Sequence, residues 1–158
     1  MLSCGFGDKK YIIPKKNPLL VADRDIECFK VVRVRRKDSN KRKTRILYKL
    51  GLLKHFETYY QEVPITVGKL AKAYPILDID VLEVKNAISD RLGGGFIHSY
   101  QHIEDAKNLL CFKNTVLIKC VIPKGTYYFT GVDDDNADNY ASCSIKYVKV
   151  IKRTGKVA

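Results

Sequence analysis

Tryptophan is absent from this chain of 158 residues, methionine occurs once, and there are only three histidines, His55, His98 and His102. No His-Glu-x-x-His run is present, so a zinc-hydrolase site of that kind is excluded. His98 and His102 stand four apart, a spacing that would share a helix face. The glycine-led F-I-H-S-Y pattern makes His98 a strand residue instead, and no metal site is expected. The five cysteines (Cys4, Cys28, Cys111, Cys120, Cys143) are odd in number and form no Cys-x-x-Cys pair. That argues against a zinc centre and against a disulfide framework, leaving incidental thiols in a reducing compartment. No serine lies in Gly-x-Ser-x-Gly, and no cysteine has a histidine partner in sequence, so no catalytic residue can be nominated. The triple glycine Gly93–Gly95 leads into a strand rather than a helix and lacks a following Lys-Ser/Thr, so it is not a phosphate loop. The acidic stretch VDDDNADN lacks the glycine and the closing glutamate of a calcium loop and reads as a solvated turn. No cofactor is expected. No apolar run approaches the roughly 18 residues of a membrane span. The N-terminus has no signal-peptide hydrophobic region. The expected location is the cytoplasm of a host cell or a virion, with no membrane partner.

Negative charge is also scarce. Seventeen Asp and Glu face 29 Lys and Arg, a formal net charge of +12. Such an excess favours acidic partners, either nucleic acid or an acidic protein surface. It concentrates in RVRRKDSNKRKTR, where Arg33, Arg35, Arg36, Lys37, Lys41, Arg42, Lys43 and Arg45 are opposed only by Asp38. The central DSN is turn chemistry. The stretch therefore reads as a basic hairpin with its cations at the tip, able to neutralise several phosphates in a salt-sensitive way. It holds no aromatic residue for stacking a base, so sequence-specific reading of single strands is not indicated. The alternative is a solvated hairpin tip that protects a sheet edge.

What is present is mostly strand. Ten Tyr and six Phe accompany a 46% apolar composition, enough for one core. Residues 1–24 read as an extended arm, 25–152 as a single domain and 153–158 as a basic tail. IECFKVVRVRR alternates apolar and polar residues and reads as the first core strand. TRILYKLGLL reads as a second strand closed by Gly51. TVGKLAKAY reads as a short helical turn, and DIDVLEVKNAISDRL as helix or strand. GGGFIHSY is a strand entered through glycines, with Phe96 buried and His98 on the same face. QHIEDAKNLL sets Ile103, Ala106, Leu109 and Leu110 on one helical face. TVLIKCVIP is the most buried strand, GTYYFTG a further one, and YASCSIKYVKVIK the last. The expected class is α+β, a mainly antiparallel twisted sheet with one or two short helices.

The order of GFIHSY, DAKNLL, TVLIKCVIPKG and YASCSIKYVKVI resembles the second half of ADP-ribosyltransferase-like domains of the arginine-serine-glutamate type. The resemblance covers roughly residues 93–151, together with CFKVV. It implies that Lys30 stands for the NAD-binding arginine, that His98, Ser99 and Tyr100 occupy the Ser-Thr-Ser strand, and that Glu-x-Glu falls near Tyr140–Ser144. These four residues, Lys30, His98, Ser99 and Tyr100, form the candidate pocket. YASCS contains no carboxylate, so the electrostatic term that dominates such catalysis is missing. Lysine also lacks the bidentate fork of arginine. Fold alone does not carry function.

A second pattern combines Phe29-Lys30, Gly95-Phe96-x-His98-Ser99, Asp105-Ala106, Pro123-Lys124-Gly125, Tyr128, Gly131, Tyr140-Ala141-Ser142 and Ile145. It is similar to small uncharacterised proteins of bacteriophages and mobile elements of gut Bacteroidota. That resemblance implies a non-enzymatic binding or assembly protein, such as a minor virion component, whose partners are phage or host proteins or nucleic acid. The alternatives are an ADP-ribosyltransferase-like enzyme whose acid is displaced to Glu104 or Asp105, and a non-specific nucleic-acid binder.

Overall fold

The structure, a computed structural model, describes residues 19–59, 62–72, 96–132 and 135–154. Among them are ten strands: β1 (Leu20–Val21), β2 (Ile26–Val34), β3 (His55–Thr58), β4 (Pro64–Thr66), β5 (Leu70–Lys72), β6 (Ile97–Tyr100), β7 (Thr115–Ile122), β8 (Tyr127–Val132), β9 (Asp138–Ser142) and β10 (Ser144–Arg153). Two helices accompany them, α1 (Arg42–Leu50) and α2 (Ile103–Lys107). The strands join in one sheet ordered β1-β8-β9-β6-β2-β7-β10-β5, with β3 on β2 and β4 on β3. Every pairing is antiparallel. The chain is thus α+β, as its strand-dominated pattern predicts. The sheet also takes in Leu20–Val21 from the stretch read as an arm, and Arg153, the first residue read as a tail. The glycines Gly93–Gly95 and the segment DIDVLEVKNAISDRL lie outside the described residues.

Register sorts the side chains onto two faces. Cys28 stands opposite Cys120, Lys30 opposite Ile118 and Val32 opposite Val116, so all six share one face. There they join the main cluster of Phe56, Ile65, Ile97, Ile122, Ile145 and Tyr147, into which Tyr48 of α1 inserts. The alternate residues Phe29, Val31 and Leu117 pack under Ala106 of α2, with Ile103, Leu109 and Leu110 around it. This is the helical face expected from QHIEDAKNLL, although after Lys107 it tightens into a 3-10 turn at Asn108–Cys111. On the same side Phe96 packs against Phe129 and Ala141. His98 is opposite Ala141, and Ala141 opposite Phe129, so His98 and Phe96 share a face as the strand period requires.

Three segments depart from the sequence reading. TRILYKLGLL is not a strand; its first seven residues, 44–50, make up most of α1. R-I-L-Y-K-L mimics a period of two, but Thr44 and Tyr48, one helical turn apart, are the residues that are buried. Gly51 sits in the left-handed region at φ 74° and ends the helix, with its N–H donating to Leu47 and Tyr48 carbonyls. Gly51→Ala should therefore cost about 1 kcal/mol through backbone strain. In a thermal melt it should lower Tm by roughly 2–4 °C. TVGKLAKAY forms no helical turn in its described part; Gly68, at φ 93°, turns the chain between β4 and β5. YASCSIKYVKVIK is two strands rather than one, broken at Cys143, so that β9 and β10 reach different neighbours.

Candidate polyanion-binding face

The basic run is not a hairpin tip. β2 ends at Val34, a 3-10 turn covers Arg36–Asp38, and α1 begins at Arg42. The extended arms are replaced by strand, turn and helix because the DSN turn chemistry closes a single 3-10 turn. The chain then continues as a helix whose Thr44 and Tyr48 dock on the sheet.

This divides the eight cations by role. Arg33 is structural. Its Nε and Nη2 donate to Glu57 Oε2 at 3.3 and 3.0 Å, Nη2 also lies 2.9 Å from Glu62, and its guanidinium sits over the Tyr59 ring. Arg35 donates to Asp38 Oδ2 at 2.8 Å, and Lys41 donates to Oδ1 of the same carboxylate at 2.9 Å. The hydrogen bond from Lys41, aided by the charge of Arg35, holds the Asp38 carboxyl below its usual range. Arg36 reaches the exposed end of Glu62 at 3.2 Å, and Arg45 donates to the Asn40 carbonyl. Lys37, Arg42 and Lys43 are exposed and pair with no acid among the described residues.

Sequence reasoning stopped at Arg45, and the structure extends the cationic surface beyond it. α1 continues to Lys49, and its C-terminal end abuts the end of β10. Arg153 donates to the Tyr48 carbonyl and lies over the Tyr48 ring at 5.7 Å. The Tyr48 hydroxyl bonds to Thr115 and Thr154. Between the two elements runs an open groove of about 490 Å³ lined by Lys49, Gly51, Ile151, Lys152 and Arg153, among others. Neither α1 nor β10 contains an acidic residue; α1 carries Arg42, Lys43, Arg45 and Lys49, and β10 adds Lys152 and Arg153 at the groove, whereas Lys146 and Lys149, opposite Val121 and Lys119, face the other side of the sheet. The legible signals for the second half were the acid-free run SIKYVKVIKR and the basic tail that begins at Arg153.

The first turn of α1 has no acidic residue and no side-chain cap, yet it carries Arg42, Lys43 and Arg45 at the positive end of the helix dipole. Cations there oppose the helix by roughly 0.3–1 kcal/mol each. The helix is held by Thr44 and Tyr48 beneath it and by its glycine terminus, not by its own charges.

The candidate pocket is only partly assembled. Lys30 Nζ donates to the carbonyl of His98 at 2.6 Å, so the two positions do meet, through backbone rather than imidazole. Ser99, paired with Tyr140, faces the side of Lys30 and Cys28, whereas His98 and Tyr100 face the other. The Ser99 hydroxyl is buried. Beside it lie Cys28 and Cys120. The Cys28 thiol is lowered by a hydrogen bond from Cys120, with Ser99 and the Lys30 charge acting the same way against burial. Burial pushes the Cys120 thiol up. Tyr140, where the resemblance seeks a glutamate, is raised by burial first and by the nearby Cys28 second. Glu104 and Asp105 cannot supply the missing carboxylate to Lys30 and Ser99, because α2 packs on the opposite face of β2. Among the described residues no cluster of three or more His, Cys, Asp or Glu could hold a metal ion.

Compared with family models, curated proteins and solved structures, the chain matches none.

Proposed function

We propose that this chain is a non-enzymatic binding protein that docks through the α1–β10 face onto a phosphate-bearing polyanion. The observation that carries this is the acid-free surface made by two elements distant in sequence, with unpaired cations crowded where the helix dipole disfavours them. An anion there relieves that repulsion and releases counterions from its own phosphates. An assembly or host-directed role, as the phage-type resemblance implies, would use the same face.

Phosphocellulose chromatography tests the proposal. The wild type should be retained and elute at high salt. Charge reversal of Arg42, Lys43, Arg45 and Lys49 to Glu should move elution to much lower salt. With a duplex DNA probe, the log–log salt slope should fall by roughly one unit for each phosphate that is no longer neutralised. The control reverses four exposed cations elsewhere, Arg24, Lys72, Lys113 and Lys124. An equal drop for the control set would mean that net charge alone is responsible and would remove this face from consideration.

A further inference from the structure

The outward face of α1 is not wholly cationic, for an apolar line runs beside Arg42. At roughly 100° per residue, Ile46 points away from the midpoint between Thr44 and Tyr48, the two residues buried in the protein. Leu50 follows one turn later on the same line. Ile46 is 46% exposed and Leu50 is 64% exposed. Leu52, just past the helix, and Ile151, across the groove, are also exposed. Ile46, Leu50 and Leu52 fall within seven residues of chain and are three of the eight large apolar residues exposed among the described ones. On the helix the apolar line is flanked by Arg45 and Lys49 on one side and Lys43 on the other.

A polyanion without an apolar layer fits this surface poorly. On a nucleic-acid backbone the long Arg and Lys side chains could reach phosphates, but Ile46 and Leu50 would be left against a polar, hydrated surface with nothing apolar to cover them. A bilayer offers the complementary order, with phosphates at the level of the cations and hydrocarbon immediately beneath. Surface attachment of this kind needs no spanning segment. We infer that the α1–β10 face is a docking site for an anionic phospholipid bilayer, with Ile46 and Leu50 entering the headgroup–acyl boundary while Arg42, Lys43, Arg45 and Lys49 contact lipid phosphates. This rests on the polyanion reading and names its partner.

The test uses the full chain and vesicles of phosphatidylcholine with or without phosphatidylglycerol. Wild-type protein should sediment with the anionic vesicles and not with the neutral ones. Ile46→Ser/Leu50→Ser should weaken vesicle binding roughly ten-fold or more. Both side chains are solvent-exposed, so the fold should persist, and phosphocellulose elution should not change. Because the chain has no tryptophan, Leu50→Trp supplies a single reporter. Its emission should shift to the blue with anionic vesicles and stay put with duplex DNA. If anionic vesicles produce neither sedimentation nor a blue shift, or if the double serine variant binds them as wild type does, the bilayer inference fails. The polyanion reading then still stands if the four-fold charge reversal lowers elution salt, and falls with it if elution is unchanged.

Discussion

Truncating Phe96 to alanine is expected to lower the unfolding free energy by about 3–5 kcal/mol. Phe96 is fully buried just before β6, and its ring meets Phe129 edge-on with centroids 5.1 Å apart. Ala141 completes the cluster, with Leu19 and Cys143 half-buried against it. The site can collapse little, because Phe129 and Ala141 are held by the pairing of β8 with β9. The cost therefore combines reduced burial, an unfilled cavity and the absence of the edge-on ring pair. Urea denaturation with an unchanged slope would read the effect as stability alone. Phe96→Leu should recover most of it. A loss below about 1 kcal/mol for the alanine variant would show that this cluster is not part of the cooperative core.

The second large effect is expected at Glu57. This carboxylate is buried on β3, where it accepts from two nitrogens of Arg33 and from the backbone N–H of Arg36 at 2.7 Å. Among the described residues, Glu57→Ala leaves the Arg33 guanidinium with only the exposed Glu62 as an ionic partner, and it strips the Arg36 N–H. Removing one partner of a buried pair costs about 3–5 kcal/mol, and the low end applies here because Glu62 remains. Replacing both members with apolar residues, Arg33→Met with Glu57→Leu, should recover a large part of that cost. A double-mutant cycle by urea denaturation checks it, with a coupling energy near zero as the outcome that would deny the pair its role. The variant also separates two kinds of cation in the basic run. Losing Glu57 should reduce stability while leaving phosphocellulose elution governed by α1.

Much of the sheet was legible because burial on both faces or on one writes itself into composition. TVLIKCVI is apolar along nearly its whole length since β7 lies between β2 and β10 with clusters on either side. IECFKVVRV and FIHSY carry the period of a strand whose alternate residues meet different layers. Helix α2 was legible because Ile103, Ala106 and Leu109 recur at helical spacing. Helix α1 was not, because Ile46 and Leu50 are apolar without being buried. Counting them as core turned a helix into a strand and moved the basic run onto a hairpin. Gly51 was the residue that should have weighed more, as a left-handed terminator rather than a strand end.

By itself the sequence determined the α+β class, the antiparallel core strands, the buried state of Phe96 and the surplus of positive charge. These follow from local composition and period, which need no knowledge of neighbours. Only the tertiary structure decided which cations are spent internally on Glu57 and Asp38 and which remain on the surface. It alone set Lys49 beside Lys152 and Arg153, residues about a hundred positions apart in the chain. It also placed Lys30 against the His98 carbonyl while sending the His98 ring to the opposite face of the sheet. Ion pairs and shared surfaces depend on strand order and on the packing of α1 against β10, and those are settled by long-range burial rather than by any one stretch of residues.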